Sequence, residues 1–147
     1  MSEPIIIKNI AKIRVRYAET DKMGFVYNGN YLTYFEVARV QMMRNSGLAY
    51  TDLEREGYQL PLVESHINYK SPAFFDDLLE VEACLAFEIK PIMKITYNIF
   101  RDNTTIATGH TIHSFFNANL KRPVKPPKIF VETMEKHRIK NDKTEDL

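Results

Sequence analysis

Residues 17–44 read Y-A-E-T-D-K-M-G-F-V-Y-N-G-N-Y-L-T-Y-F-E-V-A-R-V-Q-M-M-R. The second half, from Asn30 to Asn45, predicts a helix. Tyr31, Phe35, Ala38 and Met42 fall at i, i+4, i+7 and i+11, which makes one apolar stripe. Leu32, Tyr34, Val37, Val40 and Met43 carry apolar character around most of the remaining circumference. Between Tyr31 and Met43 the only charges are Glu36 and Arg39, whose i,i+3 spacing predicts an ion pair at one exposed edge. A helix this apolar and too short to span a bilayer is expected inside a soluble protein, with the rest of the chain wrapped around it.

The first half is a loop rich in chemistry. Asn30 is the expected N-cap, with Asn28 the alternative if the first turn begins earlier. Gly24 and Gly29 permit unusual backbone angles and a close approach of a ligand to the main chain. A helix N-terminus offers unpaired N–H groups and a partial positive charge. A carboxylate, Asp21, placed near such donors supplies the two parts an ester hydrolase needs: an acid-base or nucleophilic group and a cradle for a developing oxyanion. The plainer reading of an Asp-x-x-Gly is a turn acid bonded to its own loop.

The string V-R-Y-A-E-T-D-K-M-G-F-V-Y-N-G-N-Y-L-T-Y-F-E-V-A-R resembles the signature of hotdog-fold acyl-CoA thioesterases, in the 4-hydroxybenzoyl-CoA thioesterase-like branch. A second block from Gly57 to Val81, G-Y-Q-L-P-L-V-E-S-H-I-N-Y-K-S-P-A-F-F-D-D-L-L-E-V, fits the same branch. With the strands that follow, the resemblance covers about Lys12 to Asn119. It implies a thioester substrate, a coenzyme A handle, no further cofactor, and a homodimer or homotetramer with sites at subunit interfaces. It also marks a departure: related thioesterases often carry histidine or tyrosine where this chain has Asn28. Asn28 can bond a carbonyl or orient a water, but it does not titrate near neutral pH.

Outward from the helix, Lys12 to Tyr17 alternates as a half-buried strand, with Ile13, Val15 and Tyr17 on one side. Ser46-Gly47 closes the helix, and Thr51 to Glu56 predicts a short helix capped by Thr51 or Asp52. Leu60 to Tyr69 is a strand whose Pro61 marks an edge or a strand start. Leu79 to Phe87, Met93 to Arg101 and Thr105 to Asn117 follow as strands, with turns at Lys90-Pro91 and Asp102-Asn103. The fold class is therefore α+β. A five-stranded antiparallel curved sheet wraps one long helix in the order β-α-β-β-β-β, and its free edges suit dimerisation. Lys121 to Lys128 reads as an extended Pro-rich connector, and Ile129 to Lys140 as a terminal helix. One domain over 1–138 and a polar tail over 139–147 complete the layout.

Catalytic candidates are Asp21, Asn28 through its N–H, and Glu64 as a second acid. Some hotdog enzymes bring the catalytic carboxylate from the partner subunit, which is the place Glu64 would fill. Asp21 attacks the thioester or activates water; the residue types leave both open. Candidate substrate-binding residues are Gly24, Tyr27, Gly29, Tyr31 and Lys70. Tyr27 either lines the acyl pocket or packs under the loop. Lys70, Lys121 and Arg122 are candidates for the coenzyme A phosphates. His66 alternates onto the face of Glu64, whereas His110 and His113 face opposite sides of a strand. With Cys84 distant, no metal-ligand spacing exists.

A net charge of +1 argues against a general nucleic-acid binder. The N-terminal M-S-E-P-I-I-I-K holds an acid and a short apolar run, so no secretory leader or membrane insertion is expected. A single cysteine, Cys84, precludes an internal disulfide and suits a cytoplasmic setting, where it reads as a small strand residue. The rival functions are an acyl-carrier-protein thioesterase of the same fold and a non-catalytic acyl-CoA-binding module. A hotdog dehydratase fits less well, because no paired His and Asp pattern is visible.

Overall fold

Odd-numbered positions of four strands turn inward and build the core. A computed structural model describes the backbone of residues 5–145 and the side chains of residues 5–137. The main elements are β1 (Ile5–Arg14), a 3-10 turn (Tyr17–Glu19), α1 (Asn30–Asn45), α2 (Tyr50–Arg55), β2 (Tyr58–Gln59) and β3 (Leu62–Tyr69). They continue as β4 (Leu78–Phe87), β5 (Ile92–Arg101), β6 (Thr104–Ser114), β7 (Phe116–Asn117), β8 (Arg122–Pro123) and α3 (Lys128–Glu145). Five strands form one antiparallel sheet in the order β1-β4-β5-β6-β3. Leu79, Val81, Ala83, Leu85 and Phe87 of β4 are all buried, as are Met93, Ile95, Tyr97 and Ile99 of β5. They pack on the expected α1 stripe of Tyr31, Phe35, Ala38 and Met42, widened by Tyr34 and Met43. The β-α-β-β-β-β order and the five-stranded antiparallel sheet expected from the sequence are both present.

Several local expectations are corrected. β1 begins at Ile5 rather than Lys12. The consecutive apolars Ile5, Ile6 and Ile7 hide the alternation, because Ile6 stands outward at 48% exposure. Tyr17 does not continue that strand's inner face; it sits in the 3-10 turn, exposed, edge-on to Phe75 with ring centres 5.6 Å apart. α1 has the expected bounds but is not engulfed: Leu32, Glu36 and Val37 remain exposed, since a single sheet covers only one side of it. The N-cap is Gly29 in helical conformation, with no side-chain cap. Asn30 instead donates its amide to the Glu19 carbonyl at 2.8 Å.

The expected connector contains β8, which joins β2 and β7 in a small second sheet too short to show a period in sequence. α3 runs from Lys128 to Glu145 and seats Phe130 against Phe87 and Phe115. The tail expected over 139–147 falls partly on this helix, and 146–147 lie outside the described residues. At the other margin of the main sheet, β3 is exposed along nearly its whole length, and its outer edge pairs with no strand among the described residues.

Candidate active site

The site loop is closed at its neck by main-chain bonds. Tyr27 N–H donates to the Glu19 carbonyl at 2.9 Å, and Thr20 pairs with Val26 as an antiparallel bridge. Inside this neck the chain turns sharply: Asp21 N–H donates to Phe25 O, and Gly24 N–H to Asp21 O. Gly24 has φ +89°, which a side chain would resist. One carboxylate oxygen of Asp21 accepts the Met23 N–H at 2.9 Å, an Asx turn that fixes the rotamer. The other oxygen has no partner among the described residues.

After the loop the chain runs into α1. Asn30 N–H donates to Tyr27 O and Tyr31 N–H to Asn28 O, so the first turn is already tight. The N–H groups of Asn28 and Gly29 donate to no acceptor among the described residues. Gly29 has ordinary helical angles, so its need is space. A Cβ there would stand 2.8 Å from the Tyr27 ring, which lies over it. Tyr69 on β3 donates its hydroxyl to Asn28 O at 3.2 Å and packs edge-on to Tyr31, tying the sheet's edge to the helix entrance.

These elements enclose a cleft of about 500 Å³ lined by Asp21, Met23, Phe25, Val26, Tyr27, Asn28, Tyr31, Tyr69, Lys70, Ser71 and Pro72. That volume suits a small organic group. Five sequence candidates therefore meet at one place: Asp21, Tyr27, Asn28, Tyr31 and Lys70. Of the two readings of Tyr27, it lines the cleft and is more than half exposed. Gly24 and Gly29 shape the loop without lining the cleft.

Glu64 does not reach it within the chain. Its carboxylate meets His110 Nε2 at 3.0 Å, and His110 lies on the sheet face opposite to Gly109, whose Cβ position faces the Phe35 ring of α1. His66 stacks on His110 instead of touching Glu64. His113, expected on the other face, is indeed buried there. Lys121 and Arg122 stand at the β7–β8 turn, outside the cleft lining. Among the described residues no group of three or more His, Cys, Asp or Glu is placed to hold a metal ion.

The sequence reading missed Glu19. It is buried at 8% exposure two residues before Asp21 and accepts from Arg16 N–H at 2.8 Å, the Arg16 guanidinium at 3.2 Å and the Tyr34 hydroxyl at 3.0 Å. Burial works against its charge, but these donors outweigh it and hold the carboxyl below the usual glutamate value. Burial, and then Glu19 itself, raise Tyr34 well above the ordinary tyrosine value. The signal was present in sequence as an acid three residues after Arg16, next to a motif that drew attention to Asp21.

A family model described as the Thioesterase-like superfamily matches residues 15–134. The acyl-CoA thioester hydrolase YbgC of Escherichia coli O6:H1 is 33% identical over 70 residues, covering 48% of this chain and 52% of that protein, so the shared region is about half of the relative. The structure of a DHNA-CoA thioesterase from Staphylococcus aureus matches with TM-score 0.83 at 30% identity, covering 94% of this chain and 95% of that one. The structure of a 4-hydroxybenzoyl-CoA thioesterase mutant matches with TM-score 0.78 at 17% identity over 86% of this chain and 98% of that one, a likeness of fold alone. The chain belongs to the Thioesterase-like superfamily and is a hotdog-fold protein of the thioester-hydrolase class. No helix among the described residues is long and apolar enough to cross a membrane.

Proposed function

We propose that the protein is an acyl-CoA thioesterase that hydrolyses its substrate to a free carboxylic acid and coenzyme A, using no cofactor beyond the coenzyme A of the substrate. The observation that carries the reading is the meeting, at one cleft, of a carboxylate with a free oxygen and the Asn28 main-chain N–H, with the Gly29 N–H next to it in the chain, neither N–H having an acceptor among the described residues. The thioester carbonyl oxygen lies against Asn28 N–H and Gly29 N–H, which stabilise the negative charge it gains. Asp21 either attacks the carbonyl carbon directly or takes a proton from an attacking water. In both routes the C–S bond breaks and coenzyme A leaves as the thiol; in the first, water then hydrolyses the Asp21–acyl anhydride to free the acid and restore the carboxylate, and in the second, water itself becomes the oxygen of the acid.

Tyr27 and Tyr31 wall the acyl group, Gly24 and Gly29 let the substrate approach the main chain, and Lys70 meets a phosphate of the coenzyme A. The Asn28 side chain holds a carbonyl or a water where the family resemblance leads one to expect a histidine or tyrosine. The reading includes a homodimer through the open edge of β3 and a cytoplasmic location, where acyl-CoA is made and used. Glu64 enters as a group brought by the partner chain, because it lies on that edge strand.

Thiol release from a panel of benzoyl-, hexanoyl- and palmitoyl-CoA, with matched acyl-carrier-protein thioesters, tests the reading. Turnover of at least one acyl-CoA, lost by about 10²-fold or more in Asp21→Asn, supports it. Turnover confined to the carrier-protein substrates would move the handle to a protein. Binding without turnover would make the chain a non-catalytic module.

A further inference from the structure

The reacting groups of the proposed reaction sit on opposite limbs of one loop. Asp21 is on the outgoing limb, and the free N–H groups of Asn28 and Gly29 are on the returning one. Their separation is set by whatever joins the limbs and fixes them to α1. Beside the Asp21 N–H to Phe25 O and Asn30 N–H to Tyr27 O bonds, these joints converge on one residue. The Glu19 carbonyl accepts Tyr27 N–H at 2.9 Å and the Asn30 side-chain amide at 2.8 Å, which fastens the returning limb and the first residue of α1. The Glu19 carboxylate accepts the hydroxyl of Tyr34, a residue 1% exposed one turn into α1, and two donors of Arg16 on the chain entering the loop.

The donor set is one-sided. Arg16 N–H, the Arg16 guanidinium and the Tyr34 hydroxyl all donate, so an ionised carboxylate is matched and an amide is not. A glutamine would turn its NH₂ toward at least one of them. Tyr34 lies against Tyr31 with ring centres 5.8 Å apart, and Tyr31 lines the cleft, so displacement of the Glu19–Tyr34 joint is felt at the cleft wall.

We infer that Glu19 is the positioning residue of this active site, holding the Asp21 carboxylate and the Asn28–Gly29 amides at their working separation without touching the substrate. The inference rests on the reading of Asp21 as the reacting carboxylate. A shift of about 1 Å between reacting groups costs on the order of 10²-fold in rate. Binding is spread over cleft walls that Glu19 does not form.

The test compares wild type, Glu19→Gln, Tyr34→Phe and Asp21→Asn on the best acyl-CoA of the panel. Binding of its S-alkyl thioether analogue, which cannot be hydrolysed, is measured by calorimetry. Expected for Glu19→Gln are a kcat loss of about 10- to 100-fold, an analogue Kd within about twofold of wild type, and an unchanged number of sites per chain. The unchanged site count separates misplacement from a partly unfolded sample. Tyr34→Phe removes one donor and leaves the carboxylate; it should show the same split at about 3- to 10-fold, and it carries the test alone if Glu19→Gln does not fold. The inference is overturned if the folded variants keep wild-type kcat, or if kcat and analogue affinity fall together. Wild-type turnover in Asp21→Asn would instead remove the reading beneath it. An inactive Asp21→Asn beside a fully active Glu19→Gln would remove this inference alone.

Discussion

Arg39 donates to the phenolic oxygen of Tyr97 across 3.2 Å, and no ion pair joins it to Glu36 one turn earlier on α1. The bond opens a buried chain. Tyr97 and Thr111 hydroxyls are 2.7 Å apart, Thr111 Oγ1 lies 3.0 Å from His113 Nε2, and His113 Nδ1 lies 3.1 Å from the Leu60 carbonyl. Its direction is fixed from both ends. Leu60 O can only accept, so Nδ1 carries the proton, and in the neutral ring Nε2 accepts from Thr111. Thr111 then accepts from Tyr97, and Tyr97 from Arg39. The chain pins α1 to β5, β6 and the segment between β2 and β3.

Removing the Tyr97 hydroxyl breaks this chain in the middle. Phe35 stacks on the Tyr97 ring at 4.2 Å with planes 6° apart, and a phenylalanine keeps that contact. Tyr97→Phe therefore isolates the hydrogen bonds and should cost about 1–3 kcal/mol, read as a lower urea midpoint at unchanged slope. A midpoint equal to wild type would show the chain to be energetically idle.

His113 makes stability depend on pH. Burial, and then the nearby Arg39 charge, hold its pKa down at about 4, below the ordinary value of 6.5. Between these values the unfolded chain binds a proton that the folded one refuses. The contribution is thus complete above pH 6.5 and is lost as pH falls toward 4, by an amount on the order of 2–3 kcal/mol. Denaturation midpoints across pH 4–7 should fall more steeply for wild type than for His113→Gln; parallel curves would refute the assignment. The Glu19 carboxyl, held below its usual value, adds a second loss at more acid pH.

The same residues show what the sequence could and could not disclose. Leu79 to Phe87 and the α1 stripe were legible because their periods of 2 and 3.6 are local properties of the chain. The Glu36–Arg39 pairing was also a local inference, and it failed because a buried hydroxyl 58 positions away made the better partner. Asp21, Tyr27, Asn28, Tyr31 and Lys70 came from a dense motif and its companion block, and the fold gathers them around one cleft. Glu19 escaped because its importance lies in five acceptor contacts made by its carboxylate and carbonyl, none of which has a sequence period.

Two glycines separate space from conformation. At Gly109 a Cβ would fall 2.2 Å from the His66 carbonyl oxygen and 2.9 Å from the Phe35 ring, between a strand neighbour and the core helix. At Gly24 the space is open, and only the φ of +89° opposes a side chain. Gly109→Ala should cost about 3 kcal/mol or more, because backbone and a buried ring have to move. Gly24→Ala should cost about 1–2 kcal/mol and leave the core intact. Thermal denaturation of both variants checks the ranking, and a Gly24→Ala that is the worse of the two would contradict it.

Within the chain Glu64 faces His110 on the sheet side away from α1, so in the proposed dimer its part in the reaction is played across the subunit boundary. Mixed dimers test this directly. In a dimer that unites an Asp21→Asn chain with a Glu64→Gln chain, one site keeps both carboxylates and the other has neither. If the two residues serve one site from opposite chains, each homodimer is slow. Random mixing then restores about a quarter of the wild-type sites, because half of the dimers are mixed and each carries one intact site. Unfolding and refolding an equimolar mixture, followed by thiol-release assay, gives the number. No recovery from two slow homodimers would place both acids in the same chain's site or show Glu64 to act through structure alone. A Glu64→Gln homodimer with full turnover would leave Asp21 as the sole carboxylate of the reaction.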